Sequence, residues 1–208
     1  MSIYLIRHGE SLSNAGAATS DFIQVPLTDK GHLQAQMVAN ALKDKPDFII
    51  TSKFLRAKQT AQPIINKFPD VPVLERHIGE HDYLALPIGK PMTLEERKPL
   101  VKAYWDKADP YYQDGLFVES FRMFINRIEE FLTEMKQQRG NVYVFSHGKF
   151  LQGLFLTTLG LLKANPDSMN LFCRVGELMV MGNCEYVKLD FINGLPKFSN
   201  VKNSHLKS

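Results

Sequence analysis

The apolar positions of this chain fall into short continuous runs, separated by longer stretches with helical spacing. Ile3-Tyr4-Leu5-Ile6 is apolar on both faces, as in a central strand of a parallel sheet. Phe48-Ile49-Ile50-Thr51 reads as a second buried strand and Val71 to Leu74 as a short third one. Val142-Tyr143-Val144-Phe145 is the clearest strand of all. Thr28 is placed as an N-cap with Asp29 in the first turn, and Leu33, Met37, Val38, Ala41 and Leu42 follow at helical spacing until Pro46. Phe54 to Lys67 is a predicted helix that Pro63 bends or shortens. Glu119 to Gln138 is strongly amphipathic, with Phe121, Phe124, Ile128, Phe131, Leu132 and Met135 inward and Gly140 just beyond its end. Lys149 to Leu162 is the next predicted helix.

Two stretches break this rhythm. Residues 80–118 are rich in Pro, Tyr and charge and read as an irregular insertion with one or two helices. In the tail, Leu178 to Met181, the pair Gly182-Asn183, then Glu185 to Phe191 reads as an antiparallel hairpin, with Asn193-Gly194 a second turn signal. Strands alternating with helices predict a three-layer α/β/α fold with a mostly parallel central sheet, antiparallel edge strands from the C-terminal segment, and the small helical or irregular insertion. The expected organisation is one domain over residues 1–208, with 80–118 lying over the active site.

Composition changes the picture little. The 208 residues suit one domain. A formal charge of +3, with no Lys/Arg block, predicts no nucleic-acid partner. Cys173 and Cys184 make neither a disulfide framework nor a zinc set. The apolar start is too short for a signal peptide and Arg7 interrupts it. Leu151 to Leu162 is too short to span a membrane and reads as a buried helix. The expected location is cytoplasmic, with no membrane partner.

The ends of the strands carry the chemistry. The first runs into Arg7-His8-Gly9-Glu10, the second into Thr51-Ser52 with Arg56 one helical turn on, and the clearest into Ser146-His147-Gly148. In open α/β sheets ligands bind outside the carboxyl ends of the strands, so these groups should share one crevice. Guanidinium forks match phosphate oxygens, and the helix N-termini after the strands add backbone donors. Flanking arginines disfavour both an imidazolium and a metal cation, so His8 is expected to be neutral and nucleophilic in the empty site. The cluster suits a phosphoryl group better than zinc. His77 and His81 stand at a helical metal-ligand spacing, but Gly79 lies between them and no third ligand stands out. No metal and no cofactor is expected. His32 is placed on an exposed helix face and His205 in a disordered polar tail.

Arg7-His8-Gly9-Glu10-Ser11 followed by Asn14 resembles the R-H-G-E-[ST]-x-x-N signature of the histidine phosphatase superfamily, in its phosphoglycerate-mutase-like branch. Pro26-Leu27-Thr28-Asp29-Lys30-Gly31 is similar to its P-L-T-x-x-G segment, Thr51 to Ala61 to its S-x-x-x-R-[AC]-x-x-T-A segment, and Ser146-His147-Gly148 to its second histidine motif. The resemblance implies a metal-independent phosphomonoester hydrolase in which His8 attacks phosphorus and forms a phosphohistidine. It implies that Arg7, Arg56 and His147 hold the phosphoryl oxygens, with Asn14 and Gly148 in contact with them. In Glu75-Arg76-His77-Ile78-Gly79 it implies Glu75 as proton donor, with Glu80 and Asp82 as nearby rivals. The family's usual G-x-W-E-G continuation is replaced here by Gly79-Glu80-His81-Asp82-Tyr83.

The alternatives are a cofactor-dependent phosphoglycerate mutase, a phosphoprotein or phosphohistidine phosphatase, and an idle phospho-ligand binder. Mutases of the family carry a two-arginine insert, for which Arg97-Lys98 is the nearest candidate and reads as a solvated helix face. Tyr83, Tyr104, Trp105, Tyr111 and Tyr112 either line a mouth over the crevice or pack the insertion onto the sheet. Lys98, Lys102 and Arg122 are candidates for a second acidic group on the substrate. A small phosphorylated substrate is expected, with a phosphoprotein as the alternative.

Overall fold

The computed structural model describes residues 2–87, 90–178 and 181–206. Four strands run parallel in the middle and at one side of the sheet: β1 (Ser2–Arg7), β2 (Phe48–Thr51), β3 (Val73–Glu75) and β4 (Asn141–Ser146). β5 (Tyr186–Ile192) and β6 (Leu195–Phe198) continue it antiparallel, in the order β3-β2-β4-β1-β5-β6. The predicted mixed sheet is thus present.

Strand alternation sorts the apolar side chains into two cores. Ile3, Leu5, Ile50, Val142 and Val144 face one layer, while Ile6, Ile49, Tyr143 and Phe145 face the other. The second core is closed by α1 (Asp29–Ala41) and α2 (Leu55–Lys67), and the first by α4 (Phe121–Gln137) and α5 (Gly148–Thr158). α3 (Leu94–Asp106) and α6 (Pro166–Leu178) pack beside that first core. Thr28 is the cap the sequence signals, its Oγ1 accepting from Gly31 N at 3.0 Å, and Ser120, inside the helix predicted from Glu119, is the cap of α4, its Oγ accepting from Met123 N at 3.2 Å.

Several expectations need correction. Leu178 ends α6 rather than opening a strand, and Met179 and Val180 lie outside the described residues. The hairpin is β5–β6, turned by Asn193-Gly194, both at positive φ (52° and 78°). α6 was not anticipated, although Asn165 caps it by accepting from Ser168 N at 2.8 Å and Pro166 takes its first position. α5 stops at Thr158, short of Leu162. On α1 the buried face is Gly31, Ala35, Val38 and Ala39, and Leu33 is exposed. His205 is ordered in a 3₁₀ turn, Ser204–Leu206, with Nε2 3.0 Å from Cys184 O.

Candidate active site

β1 and β4 are neighbours in register, Arg7 opposite Ser146, so the next residue of each strand is a histidine. His8 N donates to Ser146 O at 2.9 Å, and the two imidazoles lie 5.1 Å apart, centre to centre. Both are buried, at 2 % and 0 % exposure. Sheet pairing therefore joins groups remote in sequence. The turn after β1 is equally constrained. A Cβ on Gly9 would sit 2.6 Å from Gly31 O and one on Gly31 2.0 Å from Glu10 O, so the loop and the start of α1 touch through glycine alone. Gly9 N donates to Thr60 Oγ1 at 3.0 Å, tying the same loop to α2.

The protonation of His8 follows from its partners. Nδ1 lies 2.7 Å from Gly9 O and can only be the donor there, while Nε2 accepts from Arg56 Nε at 3.1 Å. Burial first, then the Arg56 guanidinium, hold its pKa well below the ordinary value. The imidazole is neutral, with its Nε2 lone pair turned to the arginine. His147 is also neutral, driven down by burial and then by Arg56. Its Nε2 lies 2.7 Å from Ser52 Oγ, whose oxygen already accepts from Phe54 N at 3.3 Å. The serine O–H has no other acceptor among the described residues, so it is the donor to Nε2, and the ring proton sits on Nδ1, which is buried and has no partner among the described residues. Arg7 Nε is unpartnered in the same way, and another Arg7 nitrogen donates to Met181 O. Unmet buried donors at one place are a cradle for an anion.

Arg56, in the first turn of α2 and 7 % exposed, also donates to Phe22 O at 2.7 Å. Asn14 Oδ1 accepts from Ser11 Oγ at 3.0 Å and from Asn183 Nδ2 at 3.3 Å. Gly148 opens α5, so its N–H lacks an intrahelical partner, and a Cβ there would stand 3.5 Å from Arg7 Nε, in ordinary contact. Arg7, His8, Asn14, Arg56, Glu80 and Asp82 border one cavity of about 230 Å³.

The structure does not bring Glu75 to this cavity. It ends β3 at the sheet edge, its carboxylate is 53 % exposed and it pairs with Lys58 Nζ at 2.7 Å. Glu80 and Asp82 take its place. Glu80 Oε1 accepts from Lys149 N at 3.0 Å and His81 N at 3.2 Å, with Oε2 unbonded among the described residues. Burial, then Glu119, raises the pKa of Asp82. His77 is exposed whereas His81 is buried against Phe124, with ring centres 4.4 Å apart, so the two do not converge. Among the described residues no group of His, Cys, Asp and Glu could hold a metal.

Sequence reasoning passed over two residues. Asn183, read as a turn residue, donates to His8 O at 2.9 Å. Arg97, read as solvated, is 6 % exposed and lines the cavity. Lys98 is exposed and paired with Glu95 at 2.7 Å, and Lys102 pairs with Asp106 on the outer face of α3. Arg122 N is bonded to Pro110 O at 2.8 Å, and its side chain is not part of the cavity lining. Of the aromatics, Tyr83 lines the cavity, while Tyr104, Trp105 and Tyr112 pack with the first core and Tyr111 is exposed.

A sequence profile of the histidine phosphatase superfamily (branch 1) matches residues 3–203. The chain belongs to that superfamily, whose members are metal-independent and work through a phosphohistidine. It is 30% identical over 162 residues to a protein described as "Uncharacterized phosphatase PhoE" of Bacillus subtilis, covering 76% of this chain and 77% of that one. It is 29% identical over 168 residues to a 2,3-bisphosphoglycerate-dependent phosphoglycerate mutase of Gloeobacter violaceus, covering 74% of each. The solved structure of Bacillus stearothermophilus YhfR shares the fold, with a TM-score of 0.76, 20% identity, and 99% of this chain and 98% of that one covered.

Proposed function

We propose that the protein hydrolyses small phosphomonoesters, with His8 as nucleophile and Glu80 as proton donor. The observation that carries this reading is the neutral His8 with Nε2 held by Arg56, beside unmet donors on Arg7 and His147. In the first step the Nε2 lone pair forms the N–P bond as the ester P–O bond breaks, and the leaving oxygen takes the proton of Glu80. In the second, Glu80 takes a proton from water as that oxygen bonds phosphorus. The N–P electrons return to Nε2, and inorganic phosphate leaves. Arg7, Arg56 and His147 carry the charge on the phosphoryl oxygens, with Asn14 and the Gly148 N–H alongside.

Glu80 is the proton donor rather than Glu75 because it borders the cavity with Oε2 unbonded among the described residues, whereas Glu75 stands at the sheet edge paired with Lys58. The single domain, with residues 80–118 over the site, is part of the reading; Tyr83, Leu94, Arg97 and Val101 supply one wall of the cavity. So is a cytoplasmic location, which suits a chain with only two cysteines. The test is phosphate release from p-nitrophenyl phosphate with chelator present. Turnover with acid-labile labelling of His8 is expected, and absence of both overturns the assignment. The mutase relative gives a second reading, in which 3-phosphoglycerate primed with bisphosphate is converted to its 2-isomer rather than hydrolysed.

A further inference from the structure

Arginines inside this protein divide by what they face. Arg127, outside the cavity, is matched by the Glu119 carboxylate, with contacts of 2.7 and 2.8 Å. Arg7, Arg56 and Arg97 line the cavity and form no ion pair among the described residues. Taking a guanidinium out of water without a counter-charge costs several kcal/mol, so each such group marks a place for an anion. Arg7 and Arg56 serve the phosphoryl group under the reading above. Arg97 is left over.

Its position is fixed. Thr93 and Glu96 form a capping box, with Glu96 N bonded to Thr93 Oγ1 at 3.2 Å and Thr93 N to Glu96 Oε2 at 2.7 Å. Arg97 follows at once, and its Nε donates to Thr93 O at 3.0 Å. The guanidinium lies over the Phe22 ring, 4.7 Å from its centre. Among the described residues Nη2 reaches only Ser13 Oγ, at 3.5 Å, the limit of a hydrogen bond. With Nε occupied and one face on the ring, the outer N–H groups remain, which is the edge that takes two oxygens of a carboxylate.

Two contacts link Arg97 to the phosphoryl cradle. Phe22 holds Arg97 with its ring and Arg56 with its carbonyl. Ser13 touches Arg97, and its neighbour Asn14 borders the cavity with His8. Between them the walls are apolar, with Phe22, Val25, Leu94 and Val101. A cavity of about 230 Å³ lies below the roughly 300–1,000 Å³ usual for ligand pockets, so the group joining the two anions is short.

We propose that Arg97, with Ser13, binds a carboxylate on the substrate, making the preferred substrates small phosphomonoesters with a carboxylate a few carbon atoms from the ester oxygen. This rests on the phosphatase reading, and the experiment separates the two. The probes are O-phosphoserine and O-phosphoethanolamine, which differ by the carboxylate, with p-nitrophenyl phosphate as a common reference. Wild-type kcat/KM should favour O-phosphoserine by about tenfold or more. Arg97→Met should cut that ratio by about tenfold, with Arg97→Lys between the two. Equal rates on the pair in wild type, or a ratio unmoved by Arg97→Met, overturns the proposal, as does stronger preference for 1,3-propanediol bisphosphate. If Arg97→Met fails to fold by circular dichroism, the wild-type ratio decides. If no ester is turned over, the hydrolase reading falls. Calorimetric titration of His8→Ala protein with the same pair then still decides the carboxylate site, since tenfold tighter O-phosphoserine supports it and equal affinity overturns it.

Discussion

The two sides of the cavity are built by different means. The floor, with Arg7 and His8 on the cavity and His147 buried beside His8, is set by the ladder between β1 and β4, where backbone bonds fix the position of each side chain. The opposite wall, lined by Glu80 to Leu84 and by Leu94, Arg97 and Val101, has no strand ladder among the described residues beyond the isolated Thr19–Met92 bridge. It hangs on Arg127, which donates to His77 O at 3.0 Å, Gly79 O at 2.9 Å and Glu80 O at 3.0 Å. Glu119 completes the tie, accepting from Arg127 and from Asp82 N at 3.1 Å. A ladder gives precision that point changes hardly move, whereas a wall held by side-chain contacts such as this ion pair can be altered piecemeal. The division fits the roles proposed above, with phosphoryl chemistry on the floor and proton donation and selectivity on the wall.

The largest expected effect is on the floor. His8→Ala removes the nucleophile, and turnover should fall at least about 10⁴-fold with loss of the acid-labile phosphoenzyme. Labelling that persists would place the covalent chemistry on another residue.

Next comes the tie of the wall. Glu119→Gln leaves the part-buried Arg127 without its counter-charge, and unfolding in urea should show a loss of about 3 kcal/mol. The same network sets the acid limit. Burial would raise the pKa of Glu119, but the bonds from Arg127 and then His81 outweigh it and hold it at about 2. Burial, opposed by Glu119, lowers that of His81 to about 4. Both folded pKa values lie below the unfolded ones, so the unfolded chain binds more protons and stability falls with falling pH. For His81 the loss runs from 6.5 down to about 4, and for Glu119 from 4.5 down to about 2. His8 and His147, also lowered, add to the first window. Urea midpoints flat between pH 7 and 5 would show that these rings are not buried neutral.

The proton donor tests whether floor and wall act together. Glu80→Gln should slow alkyl phosphates about 10²- to 10³-fold and aryl phosphates less, since a good leaving group needs little protonation. Glu75→Gln should stay within about twofold. The reverse pattern would return the role to the sheet edge.

This contrast also explains what could be read from the chain. The floor was legible because buried parallel strands leave continuous apolar runs, and Arg-His-Gly and Ser-His-Gly stand directly after two of them. The wall was not. Glu75 fits an E-x-x-x-G spacing, but β3 is a short edge strand whose Val73 and Glu75 both face solvent. The side of the strand, not the spacing, decided. Arg97 sits on a helix whose face reads as solvated, and what covers it is the Phe22 ring, with Ser13, 84 positions away in the chain, beside it. No local pattern carries that. α6 carries a start signal in Asn165-Pro166 and Ser168, but the apolar run from Leu178 at its end reads as a strand.

Asn183 sharpens the comparison with the smallest effect. It belongs to the floor but reaches it by a side chain, donating to His8 O at 2.9 Å and Asn14 Oδ1 at 3.3 Å. If the ladder positions His8, this brace is secondary, because His8 N is already bonded to Ser146 O and Nδ1 to Gly9 O. A neutral hydrogen bond contributes about 1 kcal/mol, so Asn183→Ala should lower kcat/KM roughly fivefold, and the urea midpoint should shift by no more than about that energy. A loss approaching that of His8→Ala would mean that the segment before β5, not the ladder, holds the nucleophile in place. The floor would then be as dependent on single side chains as the wall.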